Sequence, residues 1–211
     1  VDLPTVETAK YIDSLEPMDD VIKALTSKYG DLSPDAEYLG KIDGTWYSAP
    51  GPTGSHTYPM VSRLDLWKQH AGIDLQKMFP AGTDRDPNLV KTWTYDAFLE
   101  GCQKLNAAGF PFGNPMTQCS DSQDWIGPLF ASFGSIPVNA EGEITIDSAG
   151  TRSCLEFMEK LTAVMPADIY AWDDASNNRW IISGKGSCIQ NPPSAWRVAA
   201  RDQPKFAAQL W

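Results

Sequence analysis

Histidine is almost missing from this 211-residue chain, which holds only His56 and His70. No His-Glu-x-x-His run exists, which argues against a helix-borne zinc hydrolase. Cysteine is confined to Cys102, Cys119, Cys154 and Cys188, and no Cys-x-x-Cys pair occurs, so a zinc knuckle is not expected. Those four read either as buried free thiols or as including one disulfide, and their spacing does not choose a pairing. Basic residues are in short supply: 17 Lys and Arg face 27 Asp and Glu, a formal net charge of −10. That balance argues against a nucleic-acid binder, which needs cations to neutralise phosphates, and against docking on an anionic membrane. No apolar run approaches the ~20 residues of a membrane span. There is no Gly-x-Ser-x-Gly elbow, no Walker phosphate loop and no dinucleotide glycine pattern. Gly184-Lys185-Gly186-Ser187 is glycine-rich, but it follows a helix and lacks the upstream glycine of a phosphate loop. No motif calls for a metal or a cofactor, and no internal repeat is visible.

What remains is an ordinary apolar content of 42%, enough for a buried core, and 23 aromatic residues of which 8 are Trp, more than a core of this size needs. The length suits one large domain or two small ones. Charge is uneven: residues 1–60 carry 10 acids and 4 bases, whereas residues 178–211 carry 5 bases and 1 acid. Apolar spacing predicts helices over 5–15, ended by Pro17, and over 19–28, stopped by Gly30. Asp43-Gly44 between two strand-like runs predicts a hairpin over 41–47. The breaker-rich run 49–54 reads as a loop or an interdomain hinge. A strand is expected over 58–61, a helix over 64–70, and a long loop over 74–91. Thr92-Trp93-Thr94 caps a helix with Phe98, Leu99, Cys102 and Leu105 on its core face, and 110–112 is a strand candidate. Further helices are expected over 121–133, after the Asp147-Ser148 cap with Cys154, Leu155, Met158, Leu161 and Met165 inward, and over 173–183, 194–201 and 203–210. A strand over 187–190 leads into the turn Asn191-Pro192-Pro193. Helices alternating with short strands give an α/β class, rich in helix.

Three spots carry binding chemistry. His56 follows Gly54-Ser55, whose freedom lets the backbone present it at a cleft edge; it reads equally as a plain turn residue. Asp124-Trp125 sets an acceptor beside a flat apolar face at a helix start, or is a core Trp with a solvated Asp. Asn191, Ser194 and Trp196 pair an amide, a hydroxyl and an aromatic at another helix start, or form a rigid turn with a packed Trp. All three suit a sugar: aromatic planes cover its C–H faces, while Asp, Asn and His serve its hydroxyl edges. A glycosidase would use a pair of carboxylates, but with 27 acids that signal carries little.

Several strings, in order, resemble one family. Lys41-Ile42-Asp43-Gly44-Thr45-Trp46-Tyr47-Ser48-Ala49-Pro50 is similar to the hairpin of extracellular solute-binding proteins, the maltose-binding-protein-like receptors of bacterial ABC sugar importers. Arg63-Leu64-Asp65-Leu66-Trp67 with Ala71-Gly72-Ile73-Asp74, Thr92-Trp93 through Phe98, Gly134 through Gly142 with Asp147-Ser148, and Ile181 through Gly186 with Asn191 to Trp196 resemble its later passages. The resemblance implies a type II periplasmic-binding-protein-like fold, a carbohydrate held between two lobes, delivery to a membrane permease, and no catalysis. It implies that His56, Asp124, Trp125, Asn191, Ser194 and Trp196 contact the ligand. Because family members are about twice as long, the chain reads as an internal fragment, natural or cut. Residues 1–52 would be part of the first lobe, 53–211 most of the second, and 50–55 the crossover. An excised piece would expose surfaces prone to self-association. The implied location is periplasmic, or extracellular and lipid-anchored in a Gram-positive host. A polyol or a phosphorylated glycerol or sugar is the alternative ligand. Arg179, Arg197 and Arg201 near the 191–193 turn are what a phosphate would need, and a secreted carbohydrate-active enzyme is the other class.

Overall fold

The computed structural model describes residues 8–50 and 58–211. His56 and most of the breaker-rich run lie outside them. The chain divides into two compact units, Val1–His56 and Thr57–Trp211.

In the first unit a short 3-10 helix, Ala9–Ser14, precedes α1 (Asp19–Tyr29), α2 (Pro34–Gly40) and a hairpin of β1 (Lys41–Ile42) and β2 (Thr45–Trp46). Asp19 and Asp20 sit favourably in the first turn of α1, and Gly30 ends it at φ +89°. The hairpin turn needs two residues with positive φ, and Asp43 (49°) and Gly44 (85°) supply them. The Ser33 hydroxyl accepts from Ala36 N–H and caps α2, whose first residue is Pro34.

The second unit is built on β3 (Met60–Ser62), antiparallel to β4 (Cys188–Gln190), with Val61 opposite Ile189. Two irregular segments extend this ribbon. On one side Ser62 and Trp211 exchange backbone bonds of 2.8 and 2.9 Å; on the other, Gly113 N–H donates to the Cys188 carbonyl at 3.1 Å. The 110–112 strand expected from sequence is therefore a flanking segment rather than a strand. Pro111 has no N–H to continue a ladder. Alternation along β4 sends Cys188 to one face and Ile189 to the other. Val61, Ile189, Ala195, Ala199 and Leu210 form one core, under α10 (Ser194–Asp202) and α11 (Pro204–Ala207). Cys188 joins the larger core on the opposite face.

That larger core gathers α3 (Leu64–Leu66) and its π-helical continuation Trp67–Ala71, α6 (Tyr95–Ala107), α7 (Ser120–Ser132) and α8 (Ala149–Thr162). Caps fall where the sequence places them: Thr94 accepts from Ala97 N–H and Ser148 from Thr151 N–H. Leu155 does not face the core; it is 52% exposed, and Phe157 is buried in its place. At 100° per residue, 155 lies off the stripe through 154, 158 and 161. The stretch 74–91 is not one loop. It holds α4 (Leu75–Met78) and α5 (Pro87–Val90), each one turn long, capped by Asp74 and Asp86. After a 3-10 turn at Ile169–Ala171 comes α9 (Ser176–Ile182). No described helix is long and apolar enough to cross a membrane.

Candidate functional site

A pocket of about 370 Å³ opens where α6, α7, α8 and the β3–β4 ribbon meet. That volume lies within the ~300–1,000 Å³ range of small-molecule sites. Its walls are aromatic: Tyr58, Trp93, Tyr95, Phe98, Phe112, Trp125 and Phe157 line it, with Met60, Leu129 and Leu161 beneath. Its polar lining is Thr94, Asp124 and Gln190; no Lys or Arg lines it. Pro128, inside α7, also lines it. A proline there offers no N–H to the carbonyl four residues back, so the backbone oxygen of Asp124 is freed from the helix ladder.

Trp125 is the floor rather than an open platform. It is 3% exposed, its Nε1 donates to the Pro115 carbonyl at 3.0 Å, and Phe112 meets it edge-on at 6.1 Å between centroids. Asp124, one residue earlier, is exposed at the rim. Its carboxyl is pushed up from the usual range by partial burial and then by the like charge of Asp174.

A network of amides and carboxylates borders the pocket through Tyr58 and Gln190. Asn177, in the first turn of α9, donates its Nδ2 to Asp121 Oδ2 (2.7 Å), Asn191 Oδ1 (3.1 Å) and the Gln190 carbonyl (3.3 Å). Asn191 Nδ2 donates to Asn178 Oδ1 (2.8 Å), the Pro192 carbonyl (2.8 Å) and Ser194 Oγ (2.9 Å). Asp174 accepts from Asp121 N–H at 2.9 Å, which caps α7 from another element. Tyr58 donates its hydroxyl to the Asp121 carbonyl at 3.3 Å. Burial is the main cause raising the Asp121 carboxyl, with Asp174 and Asp124 adding to it against the Asn177 and Tyr58 bonds. Burial, then Asp121 and Asp124, hold the Tyr58 phenol far above its ordinary value. The network thus ties the starts of α7, α9 and α10 together, and among the described residues no ion pair neutralises Asp121, Asp124 or Asp174.

Of the residues expected from sequence, Asp124 and Trp125 line the pocket, while Asn191 and Ser194 belong to the adjoining network. Trp196 stands apart. It is 47% exposed and lines a separate groove with Leu64, Leu210 and Trp211. Ala195 and Ala199 take the inward face of α10, which turns Trp196 away. His56 lies outside the described residues. Sequence reasoning missed Tyr58, Trp93, Tyr95, Gln190 and the Asp121–Asn177 pair; the adjacent Asn177-Asn178 at a helix start was the one local hint. Among the described residues no cluster of His, Cys, Asp and Glu is placed to hold a metal ion.

Comparison with solved structures gives the fold. The maltose-bound MalE3 of T. maritima superposes with a TM-score of 0.73 at 18% identity, over 98% of this chain and 49% of that one. A solute-binding protein of an ABC transporter from Agrobacterium radiobacter K84, in complex with ribitol, gives 0.70 at 14%, covering 98% and 49%. One from Thermotoga lettingae TMO, bound with α-D-tagatose, gives 0.69 at 14%, covering 98% and 50%. The chain spans about half the length of these structures, and the architecture it shares with them is periplasmic-binding-protein-like. Comparison with curated proteins finds no match. The family model for bacterial extracellular solute-binding proteins matches residues 1–211, the whole chain. The chain therefore belongs to the bacterial extracellular solute-binding protein family.

Proposed function

We propose that the second unit supplies one wall of a carbohydrate-binding cleft in a receptor that hands its ligand to an ABC importer. The observation that carries this is the pocket itself: seven aromatic side chains with Thr94, Asp124 and Gln190 as the polar lining. Rings of that kind pack on the C–H faces of a sugar or polyol, and a carboxylate with an amide receives and returns hydroxyl bonds. The ligands named for the structural relatives, maltose, tagatose and ribitol, have this chemistry in common. In this reading the units Val1–His56 and Thr57–Trp211 are parts of the first and second lobes, divided near the 52/53 boundary expected from sequence. The full receptor closes by hinging on its ligand, makes and breaks no bond, and then docks on the membrane permease. It works outside the cytoplasm, in the periplasm or, in a Gram-positive host, lipid-anchored on the cell exterior. His56, Asp124, Trp125, Asn191 and Ser194 remain the proposed ligand-side residues, joined by Tyr58, Tyr95 and Gln190; Trp196 is left out because it lines another groove.

A phosphorylated ligand fits this wall poorly. Arg179 is engaged by Asp173 at 2.7 Å and Arg201 by Asp202 at 2.6 Å, Arg197 is exposed on α10 outside the pocket lining, and among the described residues no cation lines the pocket. The test is a titration of the chain with a disaccharide, a hexose, a pentitol and glycerol phosphate, followed by tryptophan fluorescence and amide NMR shifts. Sugars or polyols should shift the signals of Asp124, Trp125 and Gln190. Asp124→Ala should weaken binding roughly ten- to a hundredfold, the scale of a hydrogen bond to a charged group. A response to glycerol phosphate alone would overturn the ligand class, and sugar-induced shifts confined to other residues would overturn the site.

A further inference from the structure

The pocket has two chemically different ends. At the first, three lining residues converge on Asp121. Tyr58 donates to its carbonyl at 3.3 Å, the Gln190 carbonyl shares Asn177 Nδ2 with its carboxylate, and Asp124 follows it by three residues on α7. The second end lies further along the same helix, at Pro128 and Leu129, with Tyr95 of α6 and Phe157 and Leu161 of α8. Four residues of helix, about 6 Å of rise, separate Asp124 from Pro128. Polar atoms at this second end are engaged within the protein. Tyr95 donates its hydroxyl to Ser132 Oγ at 3.1 Å, and Ser132 Oγ donates to the Pro128 carbonyl at 2.8 Å. Thr94 Oγ accepts from Ala97 N–H at 3.2 Å as the cap of α6. The Tyr95 ring meets Phe157 edge-on at 5.4 Å and Phe133 at 5.5 Å, which holds it as a wall. The charged and amide lining, Asp124 and Gln190, belongs to the first end.

A bare sugar uses only half of this space well. Its hydroxyls lie all round the ring, and those turned toward the second end would exchange water for rings and aliphatic groups, at a cost for each one left unpaired. We propose that the ligand is an amphipathic glycoside, with a neutral sugar head at Tyr58, Asp124 and Gln190 and an aryl or short alkyl tail filling the end formed by Tyr95, Pro128, Leu129, Phe157 and Leu161. The head rests on the carbohydrate reading given above; the tail rests on the second end alone. Size agrees. An apolar cavity of roughly 150 Å³ takes benzene, so a pocket of about 370 Å³ has room for a ring of that size beside the head. The tail is uncharged, because no cation or carboxylate lines that end to pair with it. An aromatic tail gains further from edge-to-face contact with Tyr95 and Phe157.

The experiment titrates the chain by calorimetry with methyl, propyl, pentyl and phenyl glycosides of glucose and of galactose, and with benzyl alcohol as a probe that has no sugar head. NMR of methyl and amide signals locates each one. Affinity should rise roughly fourfold per added CH₂ along the alkyl series, and the phenyl glycoside should bind at least tenfold tighter than the methyl glycoside. Pentyl and phenyl glycosides and benzyl alcohol should shift the methyl signals of Leu129 and Leu161, whereas the methyl glycoside should shift Asp124 and Gln190 alone. Equal affinity across the series would refute the tail and leave the carbohydrate reading standing. Benzyl alcohol that leaves Leu129 and Leu161 unshifted would refute it independently of any sugar. Benzyl alcohol seated there while no glycoside binds would overturn the glycoside, and the carbohydrate reading with it.

Discussion

Asn191 joins the fold to the site, and its replacement has a cost that follows from the geometry. Its side chain is 2% exposed and takes part in four hydrogen bonds, three donated by Nδ2 and one accepted from Asn177. Two N–H groups shared among three acceptors count as about two bonds, so Asn191→Ala removes about three. At about 1 kcal/mol net each this is about 3 kcal/mol. Some is recovered, because Ser194 is exposed to water and Asn177 keeps Asp121 and the Gln190 carbonyl. The expected loss is about 2–4 kcal/mol, or roughly 5–15 °C in Tm for a domain of this size. Asn191→Asp separates polar geometry from shape. An ionised carboxylate there would face two acceptors, Asn178 Oδ1 and the Pro192 carbonyl, while burial opposes its charge. Its folded pKa would rise above the unfolded value. The variant would then be most stable below the unfolded pKa and lose stability as pH climbs toward the raised one. Urea unfolding of the parent and both variants, at neutral and mildly acidic pH, measures this. The reasoning fails if Asn191→Ala unfolds within about 0.5 kcal/mol of the parent, as a surface change would. It fails equally if Asn191→Asp matches the parent at neutral pH.

A Cβ on Gly186 would fall 2.2 Å from Trp180 Nε1, and that ring is pinned by its bond to the Pro111 carbonyl at 3.2 Å. Gly186→Ala should therefore cost about 2–4 kcal/mol in urea unfolding, most of it relieved in a Trp180→Leu background where the facing ring is gone. Asp124 has a raised carboxyl, so it favours the folded state least when ionised, and stability declines as pH rises through the window above the unfolded value of ~3.9. Asp124→Asn should raise Tm by a few degrees at most at neutral pH and make no difference below that window, as thermal scans across pH would show.

What could be read in the sequence was local. Gly30 as a helix stop, Asp43-Gly44 as a turn, Thr94 and Ser148 as caps, and the stripe Phe98, Leu99, Cys102, Leu105 each depend on residues within one or two turns. The α/β class and the family strings followed from these. Leu155 was misassigned because a stripe of three or four positions tolerates an error of 100°, and only packing shows that Phe157 wins. The segment 110–112 failed as a strand because Pro111 allows flanking contacts but no ladder. Asp124-Trp125 could be singled out from the sequence, and both line the pocket, yet their different places in it could not be read. That Trp125 is floor and Asp124 rim depends on the Pro115 carbonyl ten residues away. Gln190 reaches the pocket only because β4 pairs with β3 across more than a hundred residues, a register no local signal specifies. More than fifty residues separate Asp121 from Asp174 and Asn177, whose meeting builds the network.

If this pocket is the ligand site, its charge bears on which ligands it can take. Burial and then the charge of Asp174 raise the carboxyls of both Asp121 and Asp124, and no described cation offsets the three. A neutral polyhydroxy ligand turns this to advantage, since each hydroxyl it brings is a donor for an acceptor-rich rim, and its C–H faces meet rings that exclude water. An anionic ligand meets the opposite field. A phosphate held ~8 Å from one carboxylate, at an effective dielectric constant of ~20, is opposed by about 2 kcal/mol per unit charge, a factor of roughly thirty in affinity. The network does not relax to relieve this, because Asn177 and Asp174 hold Asp121 from two sides and the bonds of Asn191 fix Asn177 in turn. In the proposed reading, Asp124 at the rim, with Asp121 held in place behind it, makes a neutral, hydroxyl-rich ligand the expected occupant of this pocket.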